Sequence, residues 1–391
     1  MKELLEGSQA IAKTAGLCKP GVISAYPITP QTHIVEELAQ MVANGELDSQ
    51  FVNVESEHSA ASTVLGGSAA GVRVFTATSS QGLLLMAEVV FNIAGMRLPV
   101  VMVVANRAVS APINIWNDQQ DSISLRDSGW VQLYAENIQE AVDILLYAYK
   151  IGENKKIMLP VMVCMDGFIL THGVEPVDIP DAAQVKKFLP DYDAAYKLDV
   201  DNPMTLGPFA DPDYYMEARF ALHKTLEDCL TLIPKVAEEF ESVFGRKSIG
   251  LVEEYQTKDA EKIIVAMGSV VGTVKEAVDN LRKKGKKVGV LKISCYRPFP
   301  YKEVASCLAK AKFVAVLDKS VSLGANAPIY TDLVNAFLGK PKAPKISGFV
   351  IGLGGRDITL ESIYSVFKKM NAQTKPCEFI DLKEELLKDN L

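Results

Sequence analysis

Strand-like apolar runs alternate with helix-like stretches through the first part of the chain. The run Gly21–Ala25 is followed by a stretch in which Ile34, Leu38 and Met41 share one helical face. Further runs of the same kind are 51–54, 72–78, 98–106 and 158–167, with predicted helices at 59–71, 81–95 and 138–152. Because these runs are continuously apolar rather than alternating, they predict a parallel sheet that helices cover on both faces.

This rhythm changes in the second half of the chain. Residues 176–215 are rich in Asp and Pro and predict an ordered, extended excursion, a candidate for wrapping a partner. A mixed-charge helix over 214–245 follows, and we expect a domain boundary within 246–258. Strand–helix alternation then resumes to the end of the chain. The sequence therefore predicts two doubly wound parallel-sheet α/β domains, 1–245 and 258–391.

The composition argues against nucleic acid and membranes as partners. A chain of 391 residues is longer than a single core usually allows, which supports two domains. The net charge of −7 disfavours contact with phosphate backbones and acidic membranes. The longest apolar runs have the length of a strand rather than of a membrane span, and the N-terminal stretch has no apolar signal core.

Cysteine usage favours a reducing, cytoplasmic location. The six cysteines are scattered, none forms a C-x-x-C, and with the four histidines they assemble no zinc or iron–sulphur spacing. Cys164 and Cys295 lie in or beside apolar runs and are predicted to be small buried side chains. We therefore expect a cytoplasmic chain that binds no metal itself.

The stretch YPITP, residues 26–30, places one hydroxyl between two prolines where the first strand ends. Pro27 restricts the chain as it leaves the strand, and Pro30 suits the first helical position because it needs no amide donor. Thr29 is therefore a candidate helix N-cap. The alternative is a ligand role, since open α/β sheets bind ligands outside the carboxyl ends of their strands.

The stretch VESEHSAAS, residues 54–62, places two carboxylates at the end of another strand. Glu55 is predicted only to favour the positive end of the following helix. Glu57 precedes a run of very small residues, which predicts close packing and a largely dehydrated carboxyl. Since dehydration allows a carboxyl to donate or share a proton near neutrality, Glu57 is a candidate catalytic group.

A long polar loop, residues 107–130, follows the strand that ends in VVAN. Arg107 begins this loop, where a fixed guanidinium suits a planar carboxylate. Pairing of Arg107 with Asp118 or Asp121 is an equally good interpretation. These two carboxylates also suggest a metal, but in a loop rich in Asn and Gln they are more typical of turn caps. With a hydroxyl and a dehydrated carboxyl at other strand ends, Arg107 would complete a site for an acidic substrate.

Two glycine-containing turns in the second half suggest a different function. AMGSVVGT (266–273) follows a strand and opens a helix, as a phosphate-binding turn does, although its glycine spacing is not G-x-G-x-x-G. GLGGRD (352–357) also lies at a strand end. It either contributes to an interface or a binding site, or its charged residues Arg356 and Asp357 only cap or pair with each other. A nucleotide-binding electron-transfer or regulatory subunit is thus one alternative, and simple tight turns are the other.

Five motifs in order along the chain resemble those of one enzyme family: YPITP, VESEHSA, FTATSSQGLLLM, NRAVSAPINIWND and RDSGW. They are similar to the alpha subunit of the multi-subunit 2-oxoacid:ferredoxin oxidoreductases, and most similar to the pyruvate type. The similarity continues through MGSVVGTVKEAVD, RPFP and GLGGRDIT, so it covers almost the whole chain. It implies that 1–245 is the pyrimidine-binding domain for thiamine diphosphate and that 258–391 resembles the transketolase C-terminal domain.

The resemblance also implies roles for the residues at the strand ends. Glu57 matches the family's carboxylate that shares a proton with the aminopyrimidine ring of the cofactor. Pro27 and Ile28 are assigned to cofactor binding together with Glu57. Thr29 and Arg107 match positions that hold the carboxylate of the substrate.

Other chains would supply what this chain lacks. Thiamine enzymes hold the Mg²⁺-diphosphate with a G-D-G motif, and this sequence contains none. The resemblance assigns Mg²⁺-diphosphate binding and one iron–sulphur cluster to a beta subunit and further clusters to a ferredoxin-like delta subunit. It also implies a gamma subunit. The active site would then lie between chains, and this polypeptide alone would be inactive.

The implied reaction is the reversible oxidative decarboxylation of pyruvate with CoA to acetyl-CoA and CO₂, with reduction of ferredoxin. Thr29 stands where a related oxalate-using enzyme carries arginine, which favours a substrate with a single carboxylate. The stretch SAPINIWND (110–118) resembles the pyruvate type. A branched-chain 2-oxoacid oxidoreductase is the alternative within the family.

Overall fold

The computed structural model describes residues 2–371 and 375–387. They divide into two compact units. The first unit runs to Leu251 and also contains Ser294–Pro300, whereas the second contains Val252–Ile293 and the chain from Tyr301 onwards. The interpretation of 258–391 as one uninterrupted domain therefore needs correction, because a short strand within Ser294–Pro300 pairs with the sheet of the first unit.

The strands and helices follow one another in nearly regular alternation. The strands are β1 (Lys2–Glu6), β2 (Val22–Ser24), β3 (Gln50–Val52), β4 (Val74–Thr78), β5 (Val101–Asn106), β6 (Val131–Tyr134), β7 (Val161–Asp166), β8 (Val174–Asp178), β9 (Val252–Tyr255), β10 (Lys262–Ala266), β11 (Val288–Ile293), β12 (Cys295–Arg297), β13 (Phe313–Asp318), β14 (Lys345–Val350) and β15 (Glu378–Phe379). The α-helices are α1 (Gly7–Leu17), α2 (Thr32–Ala43), α3 (Glu57–Ala69), α4 (Ser80–Leu85), α5 (Ala87–Gly95), α6 (Gln120–Ser124), α7 (Ile138–Gly152), α8 (Ala182–Phe188), α9 (Tyr215–Phe244), α10 (Val270–Lys283), α11 (Tyr301–Leu308), α12 (Pro328–Asn335) and α13 (Leu360–Lys369). Short 3₁₀ turns occupy Leu353–Gly355 and Glu384–Leu386.

The main sheet of the first unit is parallel, as predicted. Its strand order is β12-β6-β7-β5-β4-β2-β3, and every neighbouring pair from β6 to β3 is parallel. Only the edge strand β12 runs antiparallel, on β6. Strands β4, β5 and β7 are buried along their whole length, which explains why their sequences are continuously apolar.

Polar side chains start the helices that flank this sheet. The side chain of Ser56 accepts a hydrogen bond from the amide of Ser59 at 3.2 Å at the start of α3. Asn137 accepts the amide of Glu140 at 2.9 Å in the same way at the start of α7. Both contacts satisfy amide groups that the first turn of a helix leaves free. Helix α7 is buried along most of its length, where it contacts β7, α1 and α9.

The predicted excursion at 176–215 is only partly irregular. Its start belongs to β8, which pairs antiparallel with β1, and its middle forms α8, in which Phe188 is fully buried. Composition hid this helix because Asp181 is its N-cap, accepting the amide of Gln184 at 2.8 Å, rather than a loop residue. No helix or strand is assigned between Phe188 and α9.

The second unit is a smaller doubly wound α/β structure, also as predicted. Among its described residues the strand order is β15-β14-β13-β10-β11-β9, with only β9 antiparallel. Asp318 ends β13 and accepts the amides of Ile329 and Tyr330, at 2.8 and 3.1 Å, at the start of α12. Within the described ranges of both units, no helix is long and apolar enough to cross a membrane.

Candidate active site

The predicted site residues follow three strands that lie close together in the first sheet. Thr29 follows β2, Glu57 follows β3 and Arg107 follows β5. These strands and β4 are consecutive in the order β5-β4-β2-β3. Because parallel strands end at the same edge of a sheet, the three residues leave the sheet on one side, where open α/β sheets bind ligands.

The YPITP stretch forms a turn rather than the start of a helix. Helix α2 begins at Thr32 with Gln31 as its N-cap, so the predictions of Thr29 as N-cap and of Pro30 as the first helical residue are wrong. Gln31 closes the turn from both sides. Its amide donates to the carbonyl of Ile28 at 2.7 Å, and its Oε1 accepts the amide of Ile28 at 3.2 Å.

Gln31 also fastens this turn to the sheet. Its side chain is fully buried, and Nε2 donates to the carbonyl of Ala77 in β4 at 2.7 Å. Sequence reasoning missed Gln31 because glutamine is usually exposed, and its position just before a helix was the only available signal. The side chain of Thr29 is exposed, and its hydroxyl makes no hydrogen bond with any described residue.

Glu57 is the first residue of α3, and its side chain is only 8% exposed. Ser56 caps the helix, so the carboxylate of Glu57 is not needed for that purpose. Within the described part of the chain, no group donates a hydrogen bond to this carboxylate. The carboxylate oxygens keep access to solvent, so a ligand that brings a hydrogen-bond donor can reach them. Glu55 is exposed and accepts the hydroxyl of Ser59, a helix-start role like the one predicted.

The space for this carboxylate depends on Gly82 in α4. A Cβ atom added at Gly82 would lie 2.6 Å from Oε1 of Glu57 and 2.6 Å from Oγ1 of Thr78. The hydroxyl of Thr78 is buried and has no hydrogen-bond partner among the described residues. Two polar groups without protein partners therefore lie beside the glycine. Sequence analysis assigned no role to Gly82, because its contact with Glu57 joins the ends of two different strands.

Arg107 does not pair its side chain with a carboxylate of its own loop. Nε donates to the carbonyl of Asn114 and Nη1 to the carbonyl of Thr29, both at 2.9 Å. Nη2 has no partner among the described residues. Burial lowers the pKa of Arg107, and the nearby carboxylate of Asp121 opposes this effect. The structure thus brings Thr29 and Arg107 together and leaves part of the guanidinium for an anion.

Asp121 anchors the main chain around the site. Its Oδ2 accepts the amides of Ser80 and Arg107, both at 3.0 Å. Its Oδ1 accepts the side-chain amide of Asn106 at 2.8 Å and the amide of Ser122 at 2.7 Å. Burial raises the pKa of Asp121 to about 7, and these four hydrogen bonds oppose the shift. Asp121 thereby connects the residues that follow β4 with those that follow β5.

Asp118 is a turn cap, as the composition of its loop suggested, whereas Asp121 links distant parts of the main chain and is not a turn cap. Asp118 accepts the amide of Gln120 at 3.0 Å and its side-chain amide at 2.8 Å. In the part of the chain that the structure describes, neither aspartate belongs to a group of side chains spaced to hold a metal.

The loop that follows Arg107 presents apolar side chains to solvent. Ile113 is 84% exposed and Trp116 is 52% exposed. The ring of Trp116 packs on Phe168, with 4.6 Å between ring centroids. The main-chain carbonyl of Trp116 accepts a hydrogen bond from the amide of Ala108 at 3.0 Å. Exposed apolar side chains at the rim of a site are typical of a surface that a ligand or another chain covers.

Two family models match the chain. One is described as "Pyruvate flavodoxin/ferredoxin oxidoreductase, thiamine diP-bdg" and matches residues 13–238. The other is described as "Pyruvate:ferredoxin oxidoreductase core domain II" and matches residues 260–363.

Curated relatives match over almost their full length. The chain is 52% identical to pyruvate synthase subunit PorA of Methanothermobacter thermautotrophicus, over 98% of this chain and 99% of the relative. It is 48% identical to the subunit of the same name from Pyrococcus furiosus, over 99% and 100%. Identity to ketoisovalerate oxidoreductase subunit VorA of Pyrococcus horikoshii is 43%, over 95% and 94%.

Solved structures show the same fold at low sequence identity. The 2-oxoglutarate:ferredoxin oxidoreductase of Magnetococcus marinus matches with a TM-score of 0.72 at 20% identity, over 95% of this chain and 65% of that chain. A split-gene transketolase matches with a TM-score of 0.55 at 11% identity, over 95% and 99%. Both likenesses concern the fold alone.

Proposed function

This chain belongs to the pyruvate:ferredoxin oxidoreductase family, and we propose that it is the alpha subunit of an enzyme that oxidatively decarboxylates pyruvate. The acyl group would pass to CoA and the electrons to ferredoxin, in a reversible reaction. The first unit carries a thiamine-diphosphate-binding domain, and relatives named as subunits place the chain in a multi-subunit complex. The observation that best supports a catalytic role is that Glu57 is largely buried, while its carboxylate has no protein donor and stays open to a ligand.

Glu57, Pro27 and Ile28 would hold the pyrimidine half of thiamine diphosphate. A carboxylate without a protein donor fits a ring nitrogen that carries or shares a proton, because it can accept a hydrogen bond from that nitrogen. When bound, the cofactor supplies the carbon nucleophile that the 2-oxoacid needs. The contribution of Glu57 is to hold and share a proton at its carboxylate oxygens. Gly82 leaves the room that this carboxylate requires.

Thr29 and Arg107 would bind the carboxylate of the substrate. The exposed hydroxyl of Thr29 and Nη2 of Arg107 make no hydrogen bonds with described residues, and both can donate to a carboxylate. Two hydrogen bonds to main-chain carbonyls fix the guanidinium beforehand, so less freedom is lost on binding. One such receptor suits a substrate with a single carboxylate.

Pyruvate is the substrate that the relatives favour. Identity is 52% to a pyruvate synthase subunit and 43% to a ketoisovalerate oxidoreductase subunit. A branched-chain 2-oxoacid remains the alternative, because both relatives match over nearly the full chain.

We assign the remaining parts of the enzyme to partner chains. A beta subunit would hold Mg²⁺, the diphosphate and one iron–sulphur cluster, and gamma and ferredoxin-like delta subunits would complete the complex. Exposed apolar side chains on the first unit support contact with partners: Ile113 and Trp116 lie beside the site, and Val200 (93% exposed) and Phe209 (95% exposed) lie in the irregular part of the excursion. A cytoplasmic location stays a prediction from cysteine usage.

Purification of the full chain with its associated subunits tests this function. We expect the complex to reduce methyl viologen when it receives pyruvate and CoA, and to do so much more slowly with 2-oxoisovalerate. Faster reduction with 2-oxoisovalerate would favour the branched-chain alternative. No reduction with either acid, together with tight binding of NAD or FAD by the complex, would favour a nucleotide-binding subunit instead.

A further inference from the structure

Away from the candidate active site, the first unit contains a cluster of three side chains of the kinds that bind metal ions. Glu6 ends β1, His33 lies in the first turn of α2, and His172 follows β7. One ligand atom from each of these residues lies within 4.8 Å of the other two. Residues from three elements that are far apart in sequence therefore meet at one point.

The imidazoles of this cluster are held in place by specific contacts. Nδ1 of His33 lies 2.7 Å from Oε1 of Glu6, and the two imidazole rings lie 4.7 Å apart between centroids. Nδ1 of His172 lies 2.8 Å from Oγ1 of Thr171, which also accepts the amide of Phe168 at 2.8 Å. These contacts leave Nε2 of His172 available to a ligand. Histidines that bind metals are commonly oriented by a hydrogen bond at their other nitrogen.

The cluster borders a cleft that favours cations. The cleft has a volume of about 380 Å³ and is lined by Glu6, Gln9, His33, Glu36, Glu37 and Gln40. Its lining includes three glutamates and neither Lys nor Arg. A cation would therefore be attracted to this cleft, whereas an anion would be repelled.

We propose that Glu6, His33 and His172 form a binding site for a divalent transition-metal ion, with zinc as the best match. Two imidazole nitrogens and one carboxylate oxygen form a set of ligands that zinc binds well, whereas Mg²⁺ and Ca²⁺ prefer oxygen alone. Metal–ligand bonds of about 2.0 Å place tetrahedral ligands about 3.3 Å apart. Binding would therefore bring together ligand atoms that now lie up to 4.8 Å apart and separate the Glu6–His33 pair, which now lies at 2.7 Å. Solvent would supply the fourth ligand, since His33 is exposed.

The site has a structural role in this proposal. The ion replaces the hydrogen bond between Glu6 and His33 and connects β1, the start of α2 and the loop after β7. The turn that carries Thr29 ends where α2 begins. Because His33 lies two residues after Gln31, the ion would hold the helix at the point where this turn ends. The proposal does not depend on the reaction that the complex catalyses.

Zinc titration of the purified complex tests the site. The complex is first treated with a chelator and then titrated with Zn²⁺ in competition with a chromogenic chelator. We expect His33→Asn and His172→Asn each to weaken one binding event by more than about tenfold, since each removes a ligand. The matched control is His223→Asn, which removes a histidine that lies 3.5 Å from Glu227 on α9 and should leave zinc binding unchanged.

Equal zinc binding by the wild type and both histidine variants would overturn the proposal. If the variants do not assemble, zinc K-edge absorption of the zinc-loaded wild-type complex decides the question. A site with two imidazole nitrogens and oxygen supports the proposal. A spectrum dominated by sulphur, or no zinc retained after desalting, rejects it.

Discussion

The carboxylate of Glu57 lies directly against Gly82: a Cβ atom at position 82 would be 2.6 Å from Oε1. These residues belong to α3 and α4, which follow two different strands of one sheet. The position of the proposed catalytic carboxylate therefore depends on a residue that makes no hydrogen bond with it. This relationship, and the other contacts of the site, allow specific tests in the purified complex.

Replacing Gly82 by alanine should displace Glu57. The added methyl group would overlap Oε1 of Glu57 and Oγ1 of Thr78, and overpacking of this kind costs about 1–3 kcal/mol. We expect turnover to fall by more than about tenfold, as misplaced catalytic groups commonly cause, measured by pyruvate-dependent dye reduction. The control is Gly66→Ala in α3, where a Cβ meets nothing within 4 Å and alanine should stabilise the helix by about 0.5–1 kcal/mol. Full activity of Gly82→Ala would show that the carboxylate does not need this space.

Replacing Glu57 by glutamine should abolish turnover while the complex remains assembled. Glutamine has nearly the same size but cannot share a proton in the same way, and loss of such a group costs about 10²–10⁴-fold in rate. Dye reduction measures the rate, and size-exclusion chromatography checks the assembly. Glu55→Gln is the matched control, because Glu55 is exposed and accepts only the hydroxyl of Ser59 among the described side chains. Near-normal turnover of Glu57→Gln would refute the role proposed for it.

Replacing Arg107 by alanine should mainly weaken pyruvate binding. A hydrogen bond to a charged group contributes about 1.5–3 kcal/mol, which corresponds to an increase of about tenfold or more in KM for pyruvate. Steady-state kinetics at varied pyruvate concentration measure this change. Arg126→Ala offers a control in the same loop, since Arg126 donates to the carbonyl of Ile123 at 3.1 Å. An unchanged KM in Arg107→Ala would remove Arg107 from the substrate site.

Replacing Asp121 by asparagine should disturb the loops at the ends of β4 and β5. Each carboxylate oxygen of Asp121 accepts two hydrogen bonds. In asparagine one of these oxygens becomes an NH₂ group, which cannot accept the two hydrogen bonds made there. We expect a loss of about 1–3 kcal/mol in stability and a lower rate of turnover, measured by thermal unfolding and dye reduction. Asp127→Asn, at a highly exposed position in the same loop, should change neither. Equal stability of the two variants would contradict the anchoring role of Asp121.

The stability of the second unit should depend on the ionisation of Asp318. Burial raises the pKa of Asp318 from its ordinary value of 3.8 to about 7. Above about pH 7 the carboxyl is ionised in both the folded and the unfolded states, and the folded state bears the cost of the buried charge. As the pH falls from about 7 to about 4, the folded state binds a proton that the unfolded state does not, so stability rises. Below the ordinary value, both states are protonated and the effect is complete.

Urea unfolding at several pH values checks this prediction. One bound proton changes the free energy of unfolding by up to about 1.4 kcal/mol per pH unit. Between about pH 4 and pH 7 the slope should be less steep in Asp318→Asn than in the wild type by up to this amount, whereas Asp121 contributes equally to both proteins. The same slope in both proteins would mean that Asp318 is not the group responsible.

The sequence predicted those strands whose two faces are both buried. Strands β4, β5 and β7 are continuously apolar because helices cover both sides of the sheet. Strand β1 was not predicted, because its sequence KELLE is mostly charged and exposed and its partner β8 lies far along the chain. Pairing between distant segments leaves little local signal, so such strands are the hardest to find.

The sequence predicted where the candidate residues lie in the sheet, but it did not predict the contacts that they make. The sequence placed Thr29, Glu57 and Arg107 at strand ends, and the structure puts those ends on one side of the sheet. It did not predict that the carbonyl of Thr29 accepts Arg107. It also missed Gln31 and Gly82, because the role of each depends on a contact with another strand end rather than on its neighbours in sequence.

Strand β12 limits how the gene can be divided or recombined. Cys295 and Arg297 pair with β6 in the first unit, although the chain on either side belongs to the second. A fragment that stopped at Leu251 would leave the edge of β6 open, and open edges readily pair with other chains. The two units therefore cannot be exchanged between relatives as separate segments divided after Leu251. An exchange that preserves the first sheet must also carry the short strand that lies beyond it in sequence.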